Sequence, residues 1–141
     1  MTQGATVSSA RQKPPPAPAS RGRKGIKVLV VDDEVDFLVA TVEMFKVMGY
    51  DTVAARTGEE ALAVMRGHLD LSVLITEVDM EPMDGVTLAR KARTFIPGIK
   101  VVLVSAFPTS TMDLCHGSPD EDFHLLLKPL QLSEVAIVLR R

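Results

Sequence analysis

From residue 26 onward, short continuous apolar runs alternate with longer stretches in which apolar residues recur every three or four positions. "IKVLVV" (26–31), "DTVAA" (51–55), "LSVLIT" (71–76), "KVVLVS" (100–105) and "FHLLL" (123–127) have strand length, and most are rich in β-branched residues. Such runs suit strands buried on both faces. Between them the period changes. Val35, Leu38, Val39, Val42 and Phe45 recur at helical spacing over 34–48, and Gly49 can close that helix in the left-handed conformation. Thr57 and Glu60 form a capping box that opens a helix carrying Ala61, Leu62 and Met65. Asp84 can cap a helix carrying Val86, Leu88, Ala89, Ala92 and Ile96, which Pro97 and Gly98 terminate. A last helix is predicted from Leu132 to Arg140.

Strands alternating with helices predict an α/β fold: a doubly wound, five-stranded parallel sheet with right-handed crossovers and helices on both faces. The span 106–122 fits this pattern least. Ser110 to Asp113 can start a fourth helix, but Gly117, Ser118 and Pro119 break it, so that helix is expected to be short or irregular.

The first 25 residues are different material. They hold Pro14, Pro15, Pro16 and Pro18, no acidic residue and almost no large apolar side chain, so a disordered, proline-rich basic tail is expected over 1–25 and one domain over 26–141. A proline-motif ligand, a basic tether or a transit segment are sharper readings of the same tail, and the proline run argues against the amphipathic helix that a transit segment needs. Arg11, Lys13, Arg21, Arg23 and Lys24 precede residue 25, and all 18 acidic residues follow it. The remainder therefore carries 11 basic residues (16 minus these five) against 18 acidic, which argues against nucleic-acid binding by the folded part. No apolar run has the roughly 20 residues of a membrane span. With one cysteine, Cys115, and no secretory pattern, a cytoplasmic location is expected.

In an open parallel sheet, function gathers outside the carboxyl ends of the strands. The first strand ends on Asp32, Asp33 and Glu34, the third on Thr76 and Glu77, the fourth on Ser105 and Ala106, and the fifth on Lys128 and Pro129. Several carboxylates with few other ligands make a hard-oxygen site suited to magnesium, and a hydroxyl with a lysine forms a clamp for phosphoryl oxygens. Any one of these residues alone would be a helix cap. Their agreement over four strand ends is what carries weight. Cys115, His116, His68 and His124 lack a zinc spacing, and Met44, Met48, Met65, Met80 and Met83 are read as core and loop packing. No glycine-rich phosphate loop follows the first strand.

These residues resemble the receiver domain of two-component response regulators over about 26–140: "VLVVDDE", "MDG", "VLVSA" and "LLLKP" occur in the family's order, and "DGVTLARKARTFIPGIKVVLVSA" is most similar to single-domain regulators and the receivers of hybrid histidine kinases. The resemblance implies a flavodoxin-like sheet of order 2-1-3-4-5. It matches Asp32 and Asp33 to a magnesium-binding acidic pair, completed by Glu77 and the Asp79 backbone carbonyl. Ser105 and Lys128 match the phosphoryl-contacting residues, and Pro129 matches a proline often preceded by a cis peptide bond. Glu77 stands where the family places its phosphorylated aspartate. Its extra methylene puts a carboxylate where the phosphate would be, and within reach of Lys128. Leu125 stands at the aromatic switch position, and Glu81 and Pro82 depart from the family's loop.

The expectation is a non-enzymatic module of two-component signalling or phosphorelay, a pseudo-receiver in which Glu77 imitates the phosphorylated state. It would bind magnesium weakly if at all. It would dock a histidine kinase, a phosphotransfer protein or an output protein through the face of the fourth helix, fifth strand and last helix. The alternatives are a conventional phosphate acceptor using Glu77 or Asp79 and, last, a magnesium-dependent phosphatase or phosphotransferase. The sequence names neither the partner nor the oligomeric state.

Overall fold

A strand that is apolar on both faces needs a helix layer on each side, and parallel pairing through helical crossovers supplies both. In the computed structural model, residues 25–106 and 122–140 are described. Five strands, β1 (Lys27–Val31), β2 (Asp51–Ala55), β3 (Val73–Glu77), β4 (Lys100–Ser105) and β5 (His124–Leu127), form one parallel sheet in the order β2-β1-β3-β4-β5. Four helices, α1 (Val35–Val47), α2 (Gly58–Gly67), α3 (Gly85–Phe95) and α4 (Leu132–Arg140), cover it. This is the flavodoxin-like order expected. The short or irregular helix expected near Ser110 lies outside the described residues, as does the basic tail up to residue 24.

The period-two alternation of each strand divides the core. Val28, Val30, Val73, Ile75, Val102 and Val104 pack with Leu38 and Phe45 of α1 and Val135 and Val138 of α4. On the other face, Leu29, Val31, Leu74, Val101 and Leu103 pack with Ala61 and Met65 of α2 and Val86, Leu88 and Ala92 of α3. Register then fixes which strand ends lie side by side: Val31 pairs with Thr76, Glu77 with Val104, and Ser105 with Leu127.

The helix caps follow the sequence, with one change. Thr57 accepts from the Glu60 amide at 3.0 Å, and Asp84 accepts from the Thr87 amide at 2.7 Å. Glu60, however, reaches back to the Arg56 amide rather than to that of Thr57. Gly49, at φ 95°, follows the end of α1. Two expectations need correction. β3 runs from Val73 to Glu77: the Leu71 amide turns back to the His68 carbonyl at 3.1 Å, so that sheet hydrogen bonds start only at Ser72, and the strand ends on Glu77 itself. Val35 and Val39 are 43% and 55% exposed; the buried stripe of α1 is Leu38, Thr41 and Phe45, at strict three- and four-residue steps. Among the described residues, no helix is long and apolar enough to cross a membrane.

Candidate functional site

Buried polar side chains mark where a parallel sheet does something other than pack. Among the described residues they are Asp32, Thr41, Thr76, Glu77 and Ser105, and all but Thr41 stand at the carboxyl edge of the sheet. Continuing the alternation beyond Val30, Ile75 and Leu126 puts Asp32, Glu77 and Lys128 on the same side of the sheet, the side covered by α1 and α4.

There the three side chains meet. Lys128 Nζ lies 2.6 Å from Glu77 Oε1 and 3.0 Å from Asp32 Oδ2, with the exposed Glu34 Oε1 farther off at 3.7 Å. The two near carboxylates are almost fully buried, at 6% and 2% side-chain exposure. Their other oxygens accept backbone amides: Glu34 N–H donates to Asp32 Oδ1 at 2.8 Å, and Asp79 N–H to Glu77 Oε2 at 2.9 Å. Asp32 Oδ2 makes no directed hydrogen bond, although it is 3.0 Å from the ammonium. At that distance the Coulomb attraction persists whatever the angle, so this contact is ionic.

Ser105 belongs to the opposite parity, that of Val101 and Leu103. Its hydroxyl donates to Asp79 Oδ2 at 3.2 Å. The turn that carries Asp79 is fixed from behind. Gly85 N–H donates to the Val78 carbonyl at 2.9 Å, and a Cβ on Gly85 would lie 2.1 Å from the Glu77 carbonyl oxygen. Only glycine lets α3 start this close to the end of β3. The Glu81–Pro82 and Lys128–Pro129 peptide bonds are both cis, the second as the resemblance implies.

The acidic side chains expected to surround magnesium do not converge in this arrangement. Asp33 is exposed and lines a shallow cavity of about 320 Å³ with Arg56, Thr57 and Glu60. Asp32 and Glu77 share the Lys128 ammonium instead, and among the described residues no group of three or more histidine, cysteine or acidic residues could hold a metal ion. As arranged, these residues do not fit a divalent cation. They form a closed ion-pair cluster.

Two contributors escaped the sequence reading. The Phe37 ring lies under Lys128, with Nζ 4.0 Å from its centroid, and Glu34, in sequence only part of the acidic strand end, comes within 3.7 Å of the same ammonium. An aromatic in the first turn of the helix that follows the acidic pair was the available signal. Leu125 is half-buried against the α2–α3 side of the core.

Burial alone would lower the pKa of Lys128, but the Glu77 and Asp32 carboxylates more than reverse this and hold it above 10.5. A raised lysine value means that the ammonium's share of stability is complete below 10.5 and is lost as pH rises through the folded-state value above it. Urea midpoints should therefore fall more steeply above pH 10.5 for the native chain than for Lys128→Gln; parallel decline in both would remove Lys128 from this account.

The chain matches the response regulator receiver domain over residues 28–140. A sensor kinase of Brucella abortus, CckA, is 32% identical over 117 residues, which cover 80% of this chain and 12% of that protein's length. A response regulator receiver protein from Pseudomonas putida has a similar structure, with TM-score 0.68 and 28% identity, covering 82% of this chain and 95% of that one. The CheX–CheY–BeF3–Mg complex from Borrelia burgdorferi shows the same fold at TM-score 0.71 and 24% identity, covering 86% of this chain and 95% of that one.

Proposed function

This chain belongs to the response regulator receiver family of two-component signalling, and from that premise we propose that it is a pseudo-receiver that signals by docking a partner rather than by accepting phosphate. The observation that carries this reading is the 2.6 Å contact between Glu77 Oε1 and Lys128 Nζ. In this reading Glu77 occupies the phosphoacceptor position, while Ser105 and Lys128 occupy the positions that would contact a phosphoryl group. A nucleophile must reach its donor in line, with the attacking oxygen turned towards it. Glu77 instead has one oxygen on an ammonium and the other on the Asp79 amide. Its carboxylate is spent on holding the pocket shut, in the manner of a product rather than a reagent.

The docking partner is a histidine kinase, a phosphotransfer protein or an output protein, reached in the cytoplasm through the side formed by β5 and α4. Leu132 and Ile137 of α4 are exposed at 53% and 50%, and Leu127 at the end of β5 is exposed at 44%. The short helix expected near Ser110, which the resemblance assigns to the same face, falls outside the described residues. Steady turnover of a phosphoester is not expected, because Asp32, Glu77 and Lys128 are tied to one another and Asp79 to Ser105, leaving none of these described residues as an unengaged general acid or base.

The test is phosphate uptake from acetyl phosphate with magnesium, read by intact mass, on the native chain and on Glu77→Asp. Phosphate on the variant alone is the expected result. Phosphate on the native chain would return the protein to conventional relay, and mapping to Asp79 would then single out the carboxylate that Ser105 holds.

A further inference from the structure

We propose that the Lys128 ammonium is the resident cation of this pocket and keeps magnesium out of it at millimolar concentration. The inference deepens the pseudo-receiver reading and rests on it for the choice of Asp32, Glu77 and Lys128 as the working pocket.

The four oxygens of the two buried carboxylates are all engaged. Asp32 Oδ1 and Glu77 Oε2 accept the amides of Glu34 and Asp79 at 2.8 and 2.9 Å. Asp32 Oδ2 and Glu77 Oε1 converge on Nζ of Lys128 at 3.0 and 2.6 Å. That shared corner is where a cation bridging the two carboxylates would sit, and an ammonium fills it. Magnesium requires about six oxygens at roughly 2.0–2.1 Å in near-octahedral array, and sheds its own water reluctantly. To enter, it would have to expel the ammonium from both carboxylates.

The remaining acidic groups do not help it. Asp79 directs its carboxylate to Ser105 at 3.2 Å, and Asp33 faces the cavity of Arg56, Thr57 and Glu60. The Phe37 ring, 4.0 Å from Nζ, holds the ammonium from a further side by a cation–π contact. One positive charge does not fully balance Asp32 and Glu77, with Glu34 nearby at 3.7 Å. The excess negative charge attracts hydrated cations to the rim, but direct coordination needs the corner that Lys128 holds.

The experiment is calorimetric titration of the full chain with magnesium chloride, supported by manganese broadening of the amide signals of Asp33, Glu77 and Asp79. The native chain is expected to show no saturable heat through the millimolar range and no selective broadening. Lys128→Met, which keeps the stem and removes the charge, is expected to bind magnesium at least tenfold more tightly and to melt at a higher temperature when magnesium is added. Glu77→Asp, which draws one carboxylate back by a methylene, should move the same way and supplies the reading if the methionine variant does not fold. Sub-millimolar, stoichiometric binding by the native chain overturns the proposal. So do folded variants that still ignore magnesium, because the carboxylates would then form no cation site for Lys128 to occupy. Native magnesium binding without phosphate uptake defeats this inference and leaves the pseudo-receiver reading standing, whereas native phosphate uptake defeats that reading itself.

Discussion

Gly85→Ala is expected to destabilise the domain by about 3 kcal/mol, at the upper end of overpacking costs. The added methyl would sit 2.1 Å from the Glu77 carbonyl oxygen, 2.9 Å from its carbon and 3.0 Å from the Val78 Cα. All three are backbone atoms, so no rotamer change relieves the clash; either β3 or the start of α3 must move. Gly85 is buried, and its amide bonds the Val78 carbonyl, so moving α3 also breaks that bond. The damage reaches the pocket because the displaced backbone is that of Glu77. Urea unfolding measures the cost, and the Glu77 amide shift reports the displacement. A loss below about 1 kcal/mol would mean that α3 can slide along the sheet edge freely, contrary to the packing of Val86, Leu88 and Ala89.

Lys128→Met should cost about 3–5 kcal/mol in the absence of divalent cations, the range for removing one partner of a buried ion pair. The hydrophobic replacement keeps an apolar stem and removes the ammonium, its two ion pairs and its contact with the Phe37 ring together, so the loss reports charge rather than packing. What remains is two carboxylates, at 2% and 6% exposure, facing each other with no counterion. The decisive comparison is with Lys128→Met combined with Glu77→Gln. Once Glu77 is uncharged, the same lysine substitution should cost markedly less, giving a coupling of at least about 1 kcal/mol in a double-mutant cycle. Additive effects would show that the 2.6 Å contact contributes nothing beyond its exposed equivalents.

Much of this architecture was legible residue by residue. β2, β4 and α4 have the bounds that their apolar runs predict, and Thr57 and Asp84 cap the helices that they were expected to cap. Periodicity is sufficient for these three elements. It fails at Val35 and Val39, because five apolar positions on one helix exceed the width of the stripe that a sheet can cover, and their spacing does not say which will be left out. The start of β3 was misplaced because Leu71 is buried without being paired in the sheet, and burial and pairing leave the same mark in a sequence.

In the site, Asp32, Glu77 and Lys128 were legible because each stands at the carboxyl end of a strand, where alternation dictates its side. Asp33 and Asp79 were not. Their side chains sit on turns, where the backbone direction changes and the side of the sheet no longer follows from parity. Phe37 escaped for a related reason: helical spacing groups the side chains of α1, but does not say that this one overhangs the edge where Lys128 arrives.

The two buried carboxylates issue from β1 and β3, in the interior of the sheet, whereas their counterion issues from β5, its outermost strand. β5 is four residues long and nowhere fully buried. Cooperative opening in such a fold is graded, and outer elements detach at a fraction of the global cost. Peeling β5 alone would withdraw the ammonium and bare Asp32 and Glu77 while the other four strands stayed paired. The pocket's charge would then answer to the fraying of a single edge, and a protein that gripped β5 and α4 would set how often that edge opens.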